Sequence, residues 1–287
     1  MVRIWQERGG AGVIARRIVR RVEKELIALS RLPWSNWRDL GIPASPDSAA
    51  LERVLDVASE RLRQAFSMVS GLTPTGKPMV AGEIRRDHAR LIWDIVRCYR
   101  PLRVLETGVC NGLSSAVILE ALHQNGEGAL ISIDQPEFAD PDRPRGLYWE
   151  HKAGSVVAPG QEVGWLAPED RRDRWRLLLG RSQDLLEDVL GEAAPDLFIH
   201  DSEHSYDNMF FEFSSAYRAL RPGGVLVATD IDYNRAFDDF WRTVKRTGAR
   251  RAFVDRSCAI IIKHSEQESG ANDGTRTRDL RRDRPAL

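Results

Sequence analysis

One short stretch constrains the fold of this chain more than any other. Residues 103–112 read Arg-Val-Leu-Glu-Thr-Gly-Val-Cys-Asn-Gly, and apolar residues at helical spacing follow as far as Leu122. An apolar run that ends in a carboxylate, a turn with two glycines and a helical pattern together predict a strand, a tight turn and a helix. Gly108 and Gly112 lack a Cβ, so the backbone can approach a ligand closely, and the free N–H groups that open the helix favour an electron-rich group. The stretch therefore predicts a nucleotide-type binding turn.

The residue that precedes the turn indicates which nucleotide binds. Glu106 stands where the dinucleotide fingerprint Gly-x-Gly-x-x-Gly has its first glycine. A carboxylate there would repel a pyrophosphate but would suit the ammonium of an amino-acid moiety, which points to S-adenosylmethionine (SAM). A second predicted strand, residues 129–134, ends in Asp134, where an acid holds a ribose diol in doubly wound folds. The residues predicted to bind SAM are therefore Glu106, Gly108, Gly112 and Asp134.

Two later stretches extend this pattern. Residues 196–206 read Asp-Leu-Phe-Ile-His-Asp-Ser-Glu-His-Ser-Tyr, and residues 220–230 read Leu-Arg-Pro-Gly-Gly-Val-Leu-Val-Ala-Thr-Asp. Together with the glycine turn they resemble the class I SAM-dependent methyltransferases, over residues 82–263. The Asp-x-x-His-x-Tyr element followed by Leu-x-Pro-Gly-Gly is similar to the small-molecule O-methyltransferase branch that includes macrocin-type and cephalosporin-hydroxylase-like members.

The order of the predicted elements indicates an α/β fold. Strands and helices alternate from residue 103 onwards, with the fourth strand predicted over 196–200, a helix over 206–219 and the fifth strand over 223–230. Such alternation predicts a parallel sheet covered by helices. Residues 252–255 and 258–263 read as a closing hairpin. By the resemblance, this hairpin completes a Rossmann-like, doubly wound, mostly parallel sheet of seven strands, with further helices on its N-terminal side.

The resemblance also implies a metal site. In the similar branch, the first acid after the fourth strand and the acid that ends the fifth strand bind Mg²⁺, which clamps and acidifies the acceptor hydroxyl. Asp201 and Asp230 take these positions here. Many metal-dependent relatives have an acid or amide directly after the second of these acids, whereas this chain has Ile231, and Asp232 could substitute only if the backbone bends. A metal-dependent and a metal-independent reaction both remain open.

Three further residues are candidates for the site. His204 is the candidate general base, because imidazole titrates near neutrality, although a histidine at such a turn can also just cap or pack. Asp201 shares the catalytic assignment and is also expected to border the cofactor. Ser182 follows the third predicted strand, where the resemblance implies an adenine neighbour, but it could equally be the N-cap of the next helix. His200 lies inside an apolar strand and is predicted to be a satisfied core residue.

The pattern divides the chain into three parts. Residues 1–82 form a predicted helical extension, with a linker over 32–47 and a helix over 50–69, and residues 83–263 form the methyltransferase domain. That domain carries an insertion at about residues 135–175, rich in proline and tryptophan, which is either a substrate wall or a surface elaboration. Residues 264–287 contain almost no apolar side chains and predict a disordered tail.

The first segment also carries a candidate interaction surface. Residues 1–39 contain nine basic and four acidic side chains, and apolar residues share one face of a predicted helix: Val13, Ile14, Ile18, Val22 and Leu26. A basic amphipathic helix can lie on an anionic membrane, contact another subunit of a homo-oligomer, or pack on its own domain. All three possibilities remain open.

Composition narrows the remaining function classes. Lys plus Arg and Asp plus Glu both number 42, so no overall charge favours nucleic acid as a partner. The three cysteines lack metal-ligand spacing and predict a reduced, cytoplasmic chain. The leading hypothesis is methyl transfer from SAM to a hydroxyl of a small-molecule acceptor, such as a sugar or a secondary metabolite. The alternatives are a non-catalytic SAM-binding scaffold and, disfavoured by Glu106 and by the lack of a Tyr-x-x-x-Lys pair, a nicotinamide-dependent oxidoreductase.

Overall fold

Seven strands form one sheet in the computed structural model, which describes residues 36–67, 82, 84–136, 138 and 156–264. Their order across the sheet is β3-β2-β1-β4-β5-β7-β6. The first five strands are parallel, whereas β7 runs antiparallel to both β5 and β6. The strands are β1 (Arg103–Thr107), β2 (Ala129–Asp134), β3 (Trp175–Leu179), β4 (Leu197–His200), β5 (Val225–Ala228), β6 (Arg250–Phe253) and β7 (Ala259–Ile262). The prediction of a Rossmann-like, mostly parallel sheet closed by an antiparallel hairpin is confirmed.

Helices cover both faces of this sheet. One apolar cluster joins α1, α2 and α3 to alternate residues of the strands, and a second cluster joins α4, α5 and α6 to the residues between them. On β1, for example, Val104 belongs to the first cluster and Leu105 to the second, as the two-residue period of a strand requires. The helices are α1 (Ala49–Ser67), α2 (Arg86–Tyr99), α3 (Leu113–Asn125), α4 (Ser182–Glu192), α5 (Tyr206–Ala219) and α6 (Ala236–Val244).

Most element boundaries lie within two residues of the sequence predictions. The helix predicted over 206–219 is α5 itself, and Ser205 caps it by accepting a hydrogen bond from the Asn208 N–H. The fifth strand is shorter than predicted and ends at Ala228, because Asp230 adopts a left-handed backbone conformation with φ of 50°. The chain therefore leaves the sheet just where the predicted site residues begin.

The stretch predicted as a linker is docked on the core. Residues Trp37–Leu40 form a 3₁₀-helix that contacts β6, and the Trp37 and Leu40 side chains are buried. The following residues are tied to α2, since the buried Asp94 carboxylate accepts the Ser45 N–H at 2.9 Å. Proline and glycine correctly predicted irregular backbone here, but calling the stretch a linker understates its packing.

Several sequence predictions lie outside the described residues. They concern residues 1–35 of the basic segment predicted over 1–39, residues 137 and 139–155 of the insertion predicted at about 135–175, and residues 265–287 of the tail predicted over 264–287. Within the described ranges, no helix combines the length and apolar character that a bilayer crossing requires. The described part of the insertion, residues 156–174, consists of turns and a 3₁₀-helix (Glu169–Arg174) and carries no α-helix.

Candidate active site

The two glycines of the turn after β1 are required by close packing as well as by backbone conformation. Both have φ of +88°. A Cβ on Gly108 would lie 2.0 Å from the Asp201 carbonyl oxygen, and a Cβ on Gly112 would lie 2.6 Å from the Gly164 Cα. Such distances exclude any side chain. The glycine turn is thus wedged between the loop after β4 and the described part of the insertion.

Glu106, near the end of β1, is buried beside the residues that follow this turn. Its side chain is fully buried, and its carboxylate accepts hydrogen bonds from the hydroxyls of Ser114 (2.6 Å), Ser115 (2.7 Å) and Ser132 (2.8 Å). Burial raises the pKa of Glu106 to about 7, although the three hydroxyls oppose that rise. These hydrogen bonds tie the predicted SAM-binding acid to the first turn of α3 and to β2.

Asp134, at the end of β2, holds the turn from the other side. Its Oδ2 accepts a hydrogen bond from the Cys110 backbone N–H at 2.7 Å. Burial raises the pKa of Asp134 to about 6, and hydrogen bonds from backbone N–H groups, among them that of Cys110, work against this rise. Cys110 itself has φ of 50°, which is unusual for a residue other than glycine. The predicted ribose-binding acid is therefore next to the turn and half-buried.

Asn111 fastens the described part of the insertion to the turn. Its side chain is fully buried; its amide donates to the Val156 carbonyl at 2.9 Å. Its Oδ1 accepts from the Ala158 N–H at 2.9 Å and from the Trp165 indole N–H at 2.7 Å. This one side chain thus satisfies three groups of residues 156–165, and it makes the insertion a wall of the turn.

Asp201, His204 and Asp230 form the cluster with the clearest chemical potential. One donor atom of each lies within 4.8 Å of the others. The His204 Nε2 is 3.7 Å from Asp201 Oδ1 and 3.5 Å from Asp230 Oδ2, and this nitrogen is buried without a hydrogen-bond partner among the described residues. The acids themselves are more accessible, with 38% of the Asp201 and 40% of the Asp230 side chain exposed. The cluster therefore opens to solvent through its carboxylates.

The electrostatics of the cluster favour a charged imidazole. Burial opposes the charged form, but the carboxylates of Asp201 and Asp230 outweigh it and raise the pKa of His204 above its usual value. The Thr229 hydroxyl donates to Asp201 Oδ1 at 2.5 Å, and the Tyr233 ring lies against the imidazole with centroids 5.1 Å apart. His204 is thus held between two acids and an aromatic ring, in an arrangement that can accept or deliver a proton.

The other predicted residues lie at varying distances from this cluster. Asp232 is not part of the three-residue group, although Asp230 and His204 are. Ser182 is the first residue of α4 rather than its N-cap, which is Arg181, so the capping alternative is wrong. The Ser182 hydroxyl instead donates to Asn208 Oδ1 at 3.1 Å. His200 is fully buried as predicted, but only its Nδ1 is paired, at 2.6 Å from Glu212, whereas its Nε2 has no partner within the described ranges.

Sequence reasoning missed two buried side chains that support the site, Asn111 and Glu212. Asn111 carried no signal, because its partners come from the insertion, whose path the sequence does not define. Glu212 did carry one: it shares the apolar stripe of α5 with Met209, Phe213 and Ala216, where an acid is out of place. An acid on an apolar helix face indicates a buried hydrogen-bond network.

The part of the chain that carries this site matches a known protein family. Residues 105–231 match a family model described as a methyltransferase domain. No curated protein sequence matches the chain. The match extends from β1 to the residue after Asp230, and so includes every predicted site residue except Asp232.

Among solved structures, the chain is similar to an O-methyltransferase from Bacillus cereus in complex with S-adenosylhomocysteine (SAH), at 14% identity and a TM-score of 0.48, over 76% of this chain and 92% of that one. It is also similar to the O-methyltransferase TomG from Streptomyces achromogenes in complex with SAM, at 16% identity and a TM-score of 0.46. That alignment covers 74% of this chain and 90% of TomG. SAH-bound PaMTH1, a methyltransferase from Podospora anserina, gives 14% identity, a TM-score of 0.46 and coverages of 76% and 88%.

Proposed function

We propose that this protein transfers the methyl group of SAM to a hydroxyl of a small molecule. The observation that carries the proposal is the contact between the glycine turn and the acid cluster. Because a Cβ on Gly108 would lie 2.0 Å from the Asp201 carbonyl oxygen, the turn packs directly on the Asp201 backbone, and a ligand bound at the turn would lie near Asp201. A cofactor at the turn and an acceptor near His204 would then meet at the carboxyl ends of β1, β4 and β5, where α/β sheets bind ligands.

The residues around the turn fit such a cofactor. SAM supplies a methyl group activated by a sulfonium charge. Gly108 and Gly112 let the turn adopt positive φ and pack against the Asp201 and Gly164 backbones, while Asp134 has a half-buried carboxylate beside the turn for the ribose. Glu106 would attract the ammonium from below the turn, and Asp201 would border it from the loop after β4. Ser182 stays a proposed adenine neighbour, through its backbone, because its hydroxyl already donates to Asn208.

The cluster of Asp201, His204 and Asp230 supplies acid–base chemistry for the acceptor. In its neutral form, His204 would take the proton of a hydroxyl placed beside the imidazole as the hydroxyl oxygen attacks the methyl carbon, and the carbon–sulfur bond would break in line to leave SAH. The two carboxylates stabilise the imidazolium that results, as their effect on the pKa of His204 indicates. The exposed ring of Tyr233 offers the acceptor, a sugar or a secondary metabolite, an apolar surface beside the base.

A divalent metal ion is a second use of the same cluster. The three side chains offer two carboxylate oxygens and one imidazole nitrogen within 4.8 Å of one another, which fits the donor count of a metal site. Oxygen-rich sites favour Mg²⁺, whereas an imidazole ligand favours ions such as Mn²⁺ or Zn²⁺. If Mg²⁺ binds as the resemblance implies, Asp201 and Asp230 would hold it, with Asp232 as the further candidate, and His204 would remain the base. Bound metal would acidify the acceptor hydroxyl.

These two uses predict different metal responses. After chelation, the protein is titrated with Mg²⁺, Mn²⁺ and Zn²⁺ while thermal stability is recorded, and the Asp230→Asn and Asp232→Asn variants are compared. A metal site predicts a rise in melting temperature that is lost in Asp230→Asn, because ligands that bind only the folded state stabilise it. If no ion changes the melting temperature, the metal-independent base is the better assignment.

Two other functions are outcomes of the cofactor test. A SAM-binding scaffold would bind cofactor without turnover, and an oxidoreductase would bind NADH instead.

The proposed partner is a small-molecule acceptor and not nucleic acid, in a cytoplasmic protein. The basic N-terminal segment is proposed as a contact for a membrane surface or for a second subunit of a homo-oligomer.

The cofactor proposal is tested by calorimetric titration of the full chain with SAM, SAH and NADH. We expect both sulfur nucleotides to bind, and binding to be lost in Asp134→Asn. Asp170→Asn is the matched control, because Asp170 is an exposed acid whose ion pair is with Arg171 and not with the turn. Binding of NADH without SAH would overturn the proposal, whereas SAH binding without methyl transfer to any of a panel of hydroxyl acceptors would favour the scaffold.

A further inference from the structure

Glu212 lies at the centre of a buried network beneath the loop that carries Asp201. The side chain is fully buried on α5, and each carboxylate oxygen accepts two hydrogen bonds. Oε2 accepts from the Thr107 hydroxyl and from His200 Nδ1, both at 2.6 Å. Oε1 accepts from the Ser202 hydroxyl at 2.6 Å and from the Asn208 amide at 3.1 Å. One side chain thus connects the ends of β1 and β4 with the first turn of α5.

The partners of Glu212 flank Asp201 on both sides. His200 precedes Asp201 and Ser202 follows it, and the third partner, Thr107, accepts the Asp201 backbone N–H through its own carbonyl at 2.8 Å. The hydrogen bonds of Glu212 go to these neighbours and not to the Asp201 carboxylate. It therefore fixes the backbone from which that carboxylate extends towards His204.

Charge makes this arrangement specific to a carboxylate. Burial disfavours ionisation, but His200 and the hydrogen-bonding hydroxyls lower the pKa of Glu212 to about 2, so the group is ionised at neutral pH. Four donors meet two acceptor oxygens, each with two lone pairs. A glutamine of the same shape has only one oxygen, so it could keep either the Thr107 and His200 pair or the Ser202 and Asn208 pair.

We propose that Glu212 is a positioning residue for the active site: it holds residues 200–202 so that Asp201 borders the cofactor and faces His204. The proposal rests on the proposed function for the ligand used in one arm of its test. It differs from a purely structural role, which would stabilise the fold without any coupling to Asp201.

The first arm is a double-mutant cycle on SAH affinity, measured by calorimetry. Glu212→Gln is expected to weaken SAH binding by about tenfold, a value typical of residues in one network. Because Glu212 acts through Asp201, the double variant with Asp201→Asn should bind SAH no more weakly than Asp201→Asn alone. Effects that simply add would overturn the proposal.

Glu187→Gln is the matched control. Glu187 also accepts hydrogen bonds from α5, from Ser215 at 2.5 Å and from Arg218 at 2.8 Å, but these partners lie near the C-terminal end of the helix, whereas the loop precedes its N-terminal end. Its loss should lower stability without changing SAH affinity, and its effect should add to that of Asp201→Asn.

The second arm needs no cofactor. Hydrogen exchange of the backbone amides of residues 200–205 should be faster in Glu212→Gln than in wild type, while Glu187→Gln leaves it unchanged. If wild type fails to bind SAH, the proposed function fails, and exchange alone decides the role of Glu212. If Glu212→Gln does not fold, Ser202→Ala removes one of the four hydrogen bonds and should produce the same local change. Unchanged exchange in a folded variant of either kind would overturn the proposal.

Discussion

Replacing Glu106 by glutamine should stabilise the protein at alkaline pH and should weaken the binding of the cofactor. The Glu106 side chain is fully buried, and burial raises its pKa from an ordinary 4.5 to about 7. A carboxyl group with a raised pKa binds its proton more tightly in the folded state than in the unfolded state. The free energy of unfolding therefore falls as the pH rises from about 4.5 to about 7, by roughly 3 kcal/mol for this shift.

The glutamine cannot ionise, so Glu106→Gln should lack this loss. Near pH 5 the two proteins should have similar free energies of unfolding, and near pH 8 the variant should be more stable by up to about 3 kcal/mol. Urea denaturation followed by tryptophan fluorescence across this pH range measures both. The contribution of Asp134, whose pKa is also raised, is common to both proteins and cancels in the difference. A difference that does not change with pH would refute the raised pKa of Glu106.

The same substitution should act in the opposite direction on binding. An ammonium above the turn would favour the ionised carboxylate, so SAH binding below about pH 7 should release a proton from wild type. Calorimetry in two buffers of different ionisation enthalpy detects that proton, and Glu106→Gln should bind more weakly and release none. Glu120→Gln is the control. Glu120 lies on α3, as Ser114 and Ser115 do, but it pairs with Arg171.

Four further substitutions test the turn, its contact with the insertion, and the hairpin that closes the sheet. Gly112→Ala and Gly126→Ala, at the two ends of α3, both place alanine at positive φ, at a cost of roughly 1–2 kcal/mol. Only the alanine at position 112 would also clash, because its Cβ would lie 2.6 Å from the Gly164 Cα. Gly112→Ala should therefore abolish SAH binding in a titration, and Gly126→Ala should not. Asn111→Ala leaves three buried groups of the insertion without partners and should lower the free energy of unfolding by about 3 kcal/mol or more in urea; a loss below about 1 kcal/mol would contradict the role given to Asn111. Burial opposes ionisation of Asp255, but His88 and the hydrogen bonds of its own turn hold the pKa of Asp255 well below its usual value. The stabilisation that the ionised Asp255 gives the fold is therefore present above about pH 4 and is lost as the pH falls. The melting temperature of Asp255→Asn should consequently fall less steeply on acidification than that of wild type.

The sequence predicted the sheet and its edge well because those features are local. Strands and helices follow from apolar periodicity, and parallel strands bring their carboxyl ends to one edge, so Asp201 and Asp230 could be expected together. What Glu106 contacts was less accessible. Its three serine partners come from two other elements, and only the folded sheet shows that they fill both carboxylate oxygens. The packing of the stretch at Trp37 could not be predicted for the same reason. Proline and glycine indicate where regular structure stops, and not what the chain then packs against.

The end of β1 carries a contrast that neither the strand nor the turn explains alone. Successive residues of a strand face opposite sides of the sheet, so Glu106 faces α3 while Thr107 faces Glu212 on α5. Both carboxylates are fully buried, yet their pKa values move apart, to about 7 for Glu106 and about 2 for Glu212. The partners of the two carboxylates differ: the interaction with the His200 imidazole, at 2.6 Å, lowers the pKa of Glu212, whereas Glu106 has only hydroxyls among the described residues. Of these two carboxylates, Glu106 would thus gain more from a positively charged ligand, and its partners Ser114 and Ser115 directly follow the turn where the ammonium of the proposed cofactor would bind.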